Sequence, residues 1–441
     1  MDTKQILLLI PLLIIFSYLF DAFSRKTKFP SVLLLLGTGI IARAFADWSG
    51  FGGSKILDEL IAVLGTIGLI LIVLEGALEL QIKKENLGLL LKGFIAALVV
   101  LLLNIALVSQ LIEALTGLND HLSVLLAVPL SIISSAVAIP SATGLLEQDK
   151  EFVVFESTFS DILGILIFNY ALGQYQKEEA LLASTPLINL GIQLIGIVAL
   201  SLVIAFLLFQ LLQRITHQVK FFLILALLIL LYAIGKYMHL PALVTIFIFG
   251  LFLGNVSTFF PRILAQYLDP EKTKSELHEF HILTGESTFL VRTFFFLFFG
   301  FSITLDNFLS PDPYFYGLLI LGVMFMARYA FFSVSEFKLQ PSTKVFLSPR
   351  GLISILLFFQ LQDSNIPGLD NQPINEKVLL IVIIFSMLIM IVGTLRKTSP
   401  ELEEEAEEAE EAVAFSITNP EATIESNKES LNETDVSTPE E

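Results

Sequence analysis

The hexapeptide Glu156-Ser157-Thr158-Phe159-Ser160-Asp161 sets two carboxylates and three hydroxyls between the apolar runs "FVVF" and "ILGILIFNYAL". On a helix, Ser157 and Asp161 stack on one face, while Glu156 and Ser160 stack on the neighbouring face, about 100° round. One face therefore offers a carboxylate plus a hydroxyl oxygen, a donor set suited to a small, hard cation. A carboxylate kept from water also holds a proton more tightly, so a proton and a cation can compete for it. Asp161 is the residue placed for that competition, with eight residues of its apolar segment before it and eleven after it.

The segment before it reads "PLSIISSAVAIPSATG", with Ser131, Ser134 and Ser135 lying between Pro129 and Pro140. Pro140 has no N–H to give to the carbonyl of Ala136, so this helix is predicted to break close to Ser134–Ala136. Secondary transporters use such broken spans to expose carbonyls and half-helix ends to ions. Further on, "LSPRGLISILLFF" groups Pro349, Arg350 and Gly351 at the start of another apolar segment. An arginine there needs a carboxylate, and Glu156 is the partner named, because Asp161 must stay free to titrate. The broken segment followed by the Asp161 segment, and the Pro-Arg-Gly segment followed by the last one, look like corresponding parts of an inverted repeat.

Charges within apolar segments each need a reason. Arg328 and Glu286 are read as snorkelling from helix ends. Glu75 is a secondary candidate for the site. Arg292, in "FLVRTFFFLFFGFS", is a second such candidate, read chiefly as structural, cushioned by aromatic faces and within reach of Glu286. His278 and His281 are placed in a charged loop without further ligands, which argues against a metal centre there.

The elements that must position these residues follow from composition. The chain has 441 residues, 55% hydrophobic and 16% charged, with a mean hydropathy of +0.79. Thirteen apolar segments are predicted, at 4–20, 30–46, 58–80, 88–114, 121–144, 153–172, 186–213, 219–235, 240–257, 282–304, 313–333, 346–362 and 376–395. None alternates with period two, so the expected fold is an all-α polytopic membrane protein rather than a barrel. The first segment is read as a retained helix, since its basic cluster Arg25, Lys26 and Lys28 follows it. Cysteine is absent, which excludes disulfides and thiolate metal sites.

Fifteen Lys and Arg fall in the loops after odd-numbered segments, against six on the opposite side. That asymmetry predicts the N-terminus outside and the C-terminus in the cytoplasm of a cell (inner or plasma) membrane protein. Of the net charge of −17, residues 401–441 hold fifteen acidic residues against one lysine. The expected organisation is a membrane domain over 1–398 and an acidic, disordered cytoplasmic tail over 399–441. Nothing in either part suits nucleic acid.

Taken together, the chain resembles the monovalent cation/proton antiporters, the large family of NhaP-like sodium/proton exchangers and Kef-like potassium transporters. "ESTFSD" resembles the exchangers' E-S-L-L-N-D, and "PRGLIS" resembles their L-R-G-A-[IV]-S. "LEGALEL", "LPALVTIFIFGLFLGN" and "TFFFLFFGFSI" add weaker likenesses, and the resemblance covers roughly residues 5–395. It implies an inverted-repeat fold of about thirteen transmembrane helices, with broken helices at the ion site. It implies Asp161 as the carboxylate that binds an alkali cation or a proton, with Ser157, Ser160, Ser134 and Ser135 as oxygen donors beside it. It also implies that Glu156 and Arg350 brace the site, and that a homodimer holds a dimerisation part against a mobile core. Two positions depart from the exchangers' pattern. Ser160 stands where they have Asn, and Ser134-Ser135-Ala136 stands where they have T-D-P, closer to the S-S-T of Kef-like proteins.

The expected activity is exchange of sodium or lithium for protons, electroneutral if one carboxylate serves each carrier. The alternative is potassium/proton antiport, although no glycine-rich phosphate loop or nucleotide-binding domain follows the last segment. An enzyme is not expected, for want of HExxH, GxSxG or a cysteine nucleophile. A non-transporting sensor would tolerate replacement of Asp161. No cofactor is implied beyond the transported Na+ (or Li+ or K+) and H+, and the lipid bilayer is the implied surrounding.

Overall fold

A computed structural model describes residues 3–27, 29–48, 55–80, 82, 86–142, 145, 147–176, 199–207, 221–237, 242–255, 270–303, 310–334, 341–364, 366, 369 and 372–395. Every regular element among them is helical. The first seven are α1 (Thr3–Thr27), α2 (Ser31–Trp48), α3 (Lys55–Glu79), α4 (Leu87–Thr116), α5 (Asp120–Ser131), α6 (Ser135–Ser141) and α7 (Glu147–Gln176). They are followed by α8 (Phe221–Tyr237), α9 (Ala242–Gly254), α10 (Pro270–Ser302) and α11 (Asp312–Val334). The last three are α12 (Pro341–Phe346), α13 (Leu352–Asp363) and α14 (Glu376–Leu395). A further helical stretch covers 199–207. Twelve of the thirteen predicted segments coincide with these elements. Most of the seventh, 186–213, and the whole acidic tail lie outside the described residues.

Six helical spans among the described residues, one of them the interrupted Asp120–Ser141, are long and apolar enough to cross a membrane. Their outward faces carry apolar side chains, among them Leu91, Leu102, Phe315 and Met326, whereas serines, threonines and charges are drawn inward. Such an arrangement suits a hydrocarbon surrounding, in which only internally satisfied backbone is tolerated. α10 begins a dozen residues before the predicted segment 282–304, so His278 is helical and exposed rather than part of a loop, and His281 likewise. The Glu- and Lys-rich lead-in "PEKTKSELHEFH" is a good helix former, and helix propensity extends the span past its apolar part.

Met1–Gly393 form one compact unit. Of the second, Thr394–Glu441, the described residues are 394 and 395, the end of α14. Within the first unit the helices pack in two groups. α10 lies along α2 and α3, with α9 on α3, α8 against α9, and α1 against α2. Where α2 crosses α10, Gly39 and Gly300 face the partner backbone, and a Cβ at either would collide with it. Small residues give membrane helices this close approach. The other group sets α4 against α5, α7 and α11, with α13 on α5 and α14 on α11. Between the groups, α3 touches α7 and α13, and α9 touches α7, over thinner seams.

Candidate ion-binding site

Two interrupted spans cross at the centre of the second group. α5 stops at Ser131 and α6 restarts at Ser135, with Ile132 and Ser134 extended between them (ψ 133° and 115°). The break falls slightly earlier than predicted, because α7 offers acceptors there that replace the helix ladder. The Ile133 N–H donates to Ser160 Oγ at 3.0 Å, and the Ser135 N–H donates to Asp161 Oδ2 at 3.1 Å. The second interruption lies between Phe346, at the end of α12, and Leu352, at the start of α13. The two are tied by the Ser134 N–H donating to the Pro349 carbonyl at 2.9 Å. Gly351 closes the crossing, since a Cβ there would sit 2.5 Å from Ser134 Oγ.

Asp161 is 3% exposed. Its Oδ2 accepts from both the N–H and the hydroxyl of Ser135, the latter at 2.5 Å. Among the described residues its buried Oδ1 has no hydrogen-bond partner, and neither have Ser134 Oγ and Thr158 Oγ1. Among the described residues no cation pairs with Asp161. Buried acceptors left unused are uncommon and call for an explanation, and a carboxylate oxygen beside hydroxyl oxygens is a set a small cation or a proton completes. Ser157, one turn earlier on α7, donates its hydroxyl to the Val153 carbonyl at 2.7 Å, which leaves its oxygen free to accept. Ser160 stands one residue before Asp161 and is spent on the Ile133 N–H.

The bracing pair differs from the expectation. Glu156 binds Arg328, not Arg350, in a two-pronged ion pair with both N···O distances 2.7 Å and both side chains buried. Arg328 is therefore no snorkelling residue. Its Nε also donates to the Lys344 carbonyl at 2.8 Å, and its guanidinium lies 5.0 Å from the Phe332 ring centre. Arg350 instead serves backbone that the two breaks leave bare. Its Nε donates to the Leu130 carbonyl (2.8 Å) near the end of α5, its Nη1 to the Ser348 carbonyl (2.6 Å), and its own N–H to Ser386 Oγ (3.0 Å). The last carbonyls of a helix have no internal partner, and a guanidinium flanked by Pro349 and Gly351 is well placed to take them. Lys344 adds a second buried cation to the Arg328 side, 4.9 Å from the Phe152 ring centre. Sequence reasoning passed over Arg328. The signal was that Arg350 is not alone among arginines in apolar segments, since Arg292 and Arg328 stand in such segments too.

Arg292 likewise differs. Its Nη1 donates to the Ala136 carbonyl at 3.2 Å, the acceptor that Pro140 cannot supply with an N–H. Glu286 is exposed, because six residues along a helix turn it about 240° away from Arg292. Glu75 is half-buried on α3, with Oε1 packed 3.5 Å from where a Gly285 Cβ would stand. It lies within reach of the Thr288 hydroxyl and in the field of Arg292.

Residues 12–397 match the family model described as "Sodium/hydrogen exchanger, transmembrane". Among solved structures, the chain is similar to the sodium proton antiporter MjNhaP1 from Methanocaldococcus jannaschii at pH 8. The likeness has a TM-score of 0.67 at 20% identity, covering 89% of this chain and 99% of that one. A second structure of MjNhaP1, from electron microscopy, gives a TM-score of 0.62 at 22% identity, covering 90% and 94%. No curated protein sequence matches significantly. The helical architecture is thus the antiporter fold, with interrupted spans meeting at its centre.

Proposed function

The chain belongs to the sodium/hydrogen exchanger family, and from that premise we propose that it exchanges one sodium or lithium ion for one proton through Asp161. The observation that carries this is the unpartnered Oδ1 of a buried carboxylate, set where two interrupted spans cross. In one state the carboxyl holds a proton. In the other it is ionised and holds the cation, with Ser134, Ser135 and Ser157 as neighbouring oxygen donors and Ser160 fixing the break. Glu156 has its charge taken by Arg328, so it braces α7 against α11 and leaves Asp161 as the titrating group. With one exchangeable charge per carrier, the cycle is electroneutral.

Alternating access then requires the group containing α4–α7 and α11–α14 to move against the group containing α1–α3 and α8–α10, and the thin seams between them suit that motion. We assign the group containing α1–α3 and α8–α10 to dimerisation in a homodimer, within a membrane domain ending near residue 398. The loop charges support an N-terminus outside and an acidic tail in the cytoplasm.

The test is fluorescence dequenching in proteoliposomes that carry an inward-acid pH gradient, with Na+, Li+ or K+ added. Sodium and lithium should collapse the gradient, potassium should not, and clamping the membrane potential should leave the rate unchanged. A response to potassium alone would transfer the assignment to the Kef-like branch, and a current that reverses with potential would contradict one-for-one exchange.

A further inference from the structure

Arg292 sits in one packing group and its acceptor in the other. Its helix, α10, lies along α2 and α3, whereas Ala136 belongs to α6, which packs on α7. The Ala136 carbonyl needs a donor because Pro140, four residues on, has none. The turn that Arg292 thereby holds also carries Ser135, whose N–H and hydroxyl satisfy Asp161 Oδ2. Two carboxylates of α3 lie in the field of the guanidinium. Glu75 packs against α10 at Gly285 and lies in the field of Arg292, and Glu79 lies one turn further along in the field of the same arginine.

We propose that Arg292 is a positioning residue of the exchange cycle: it clamps the first turn of α6 through the Ala136 carbonyl in one arrangement of the two helix groups, and rests on Glu75 in the other. This builds on the exchange reading given above. Any displacement of one group past the other must break the Arg292 bond to Ala136, and a guanidinium cannot be left bare inside a membrane. Glu75, on the same group as Arg292, travels with it and supplies the waiting charge. The clamp therefore tightens the cation site on one face of the membrane only.

The experiment measures half-saturating sodium from each face of proteoliposomes, with parent and Asp161→Asn protein as controls. A hydrogen bond from a charged donor to a carbonyl is worth about a tenfold change or more in an equilibrium constant. Arg292→Gln should raise half-saturating sodium about tenfold on one face and leave the other within about twofold. Arg292→Lys should restore part of the loss. Pro140→Ala returns an N–H to the Ala136 carbonyl, so in that background Arg292→Gln should have little further effect. Glu75→Gln removes the resting partner and should slow turnover severalfold at unchanged half-saturation. An equal rise on both faces, no rise at all, or an undiminished Arg292→Gln effect in the Pro140→Ala background would overturn the proposal. Parent activity that Asp161→Asn abolishes keeps the exchange reading standing in any of these cases.

Discussion

Replacing Asp161 by Asn abolishes sodium-driven proton movement, down to the rate of protein-free liposomes, while the protein remains folded. The amide oxygen still accepts from the Ser135 N–H and hydroxyl, so the contacts that hold α7 to the break between α5 and α6 survive. What disappears is the charge and the titratable proton. A neutral amide has no proton to exchange, and its one oxygen is already taken by Ser135, so the vacant position at Oδ1 becomes an N–H2 donor facing where a cation would sit. Dequenching on matched amounts of parent and variant protein, with elution on size exclusion as the folding check, decides the matter. Residual sodium-driven exchange in a folded Asp161→Asn protein would mean that the cation binds elsewhere.

The second large effect is on stability. Arg328→Leu leaves Glu156 buried with its partner gone, and breaking a buried pair from one side costs about 3–5 kcal/mol. We expect a fall of many degrees in the midpoint of heat-induced aggregation in detergent. Substituting both members, Arg328→Met with Glu156→Gln, should recover much of it, because neither member of the pair is then left without the other. Arg350→Met combined with Glu156→Gln should show no such recovery, since Arg350 serves the Leu130 and Ser348 carbonyls rather than Glu156. Recovery in the Arg350 pair and not in the Arg328 pair would reverse the assignment made from the geometry.

The parts of this molecule that the sequence made legible are those governed by local rules. Segment length and apolarity placed the spans, because a hydrocarbon core demands both. Pro140 pointed to the freed Ala136 carbonyl without reference to any neighbour, and helical spacing placed Asp161 and Glu156 on different faces, where they meet different partners. What local rules do not contain is which element arrives opposite. Glu156 needed an arginine, and two stood in apolar segments more than 170 positions away along the chain. Choosing between them required knowing that α11 packs on α4, beside α7, and that Arg350 emerges among bare carbonyls. For the same reason the donor for Ala136 was not assignable. The neighbourhood along its own helix points Arg292 to Glu286, while its acceptor lies on α6.

Exchange through one carboxyl that takes either a sodium ion or a proton is tested most directly by half-saturating sodium as a function of pH in proteoliposomes of the purified protein. Competition for Asp161 predicts that, on the acid side, half-saturating sodium rises about tenfold for each unit of pH lost, while the maximal rate at saturating sodium is preserved. A half-saturation that stays constant across that range while the maximal rate falls would contradict it, because proton and cation would then occupy separate groups.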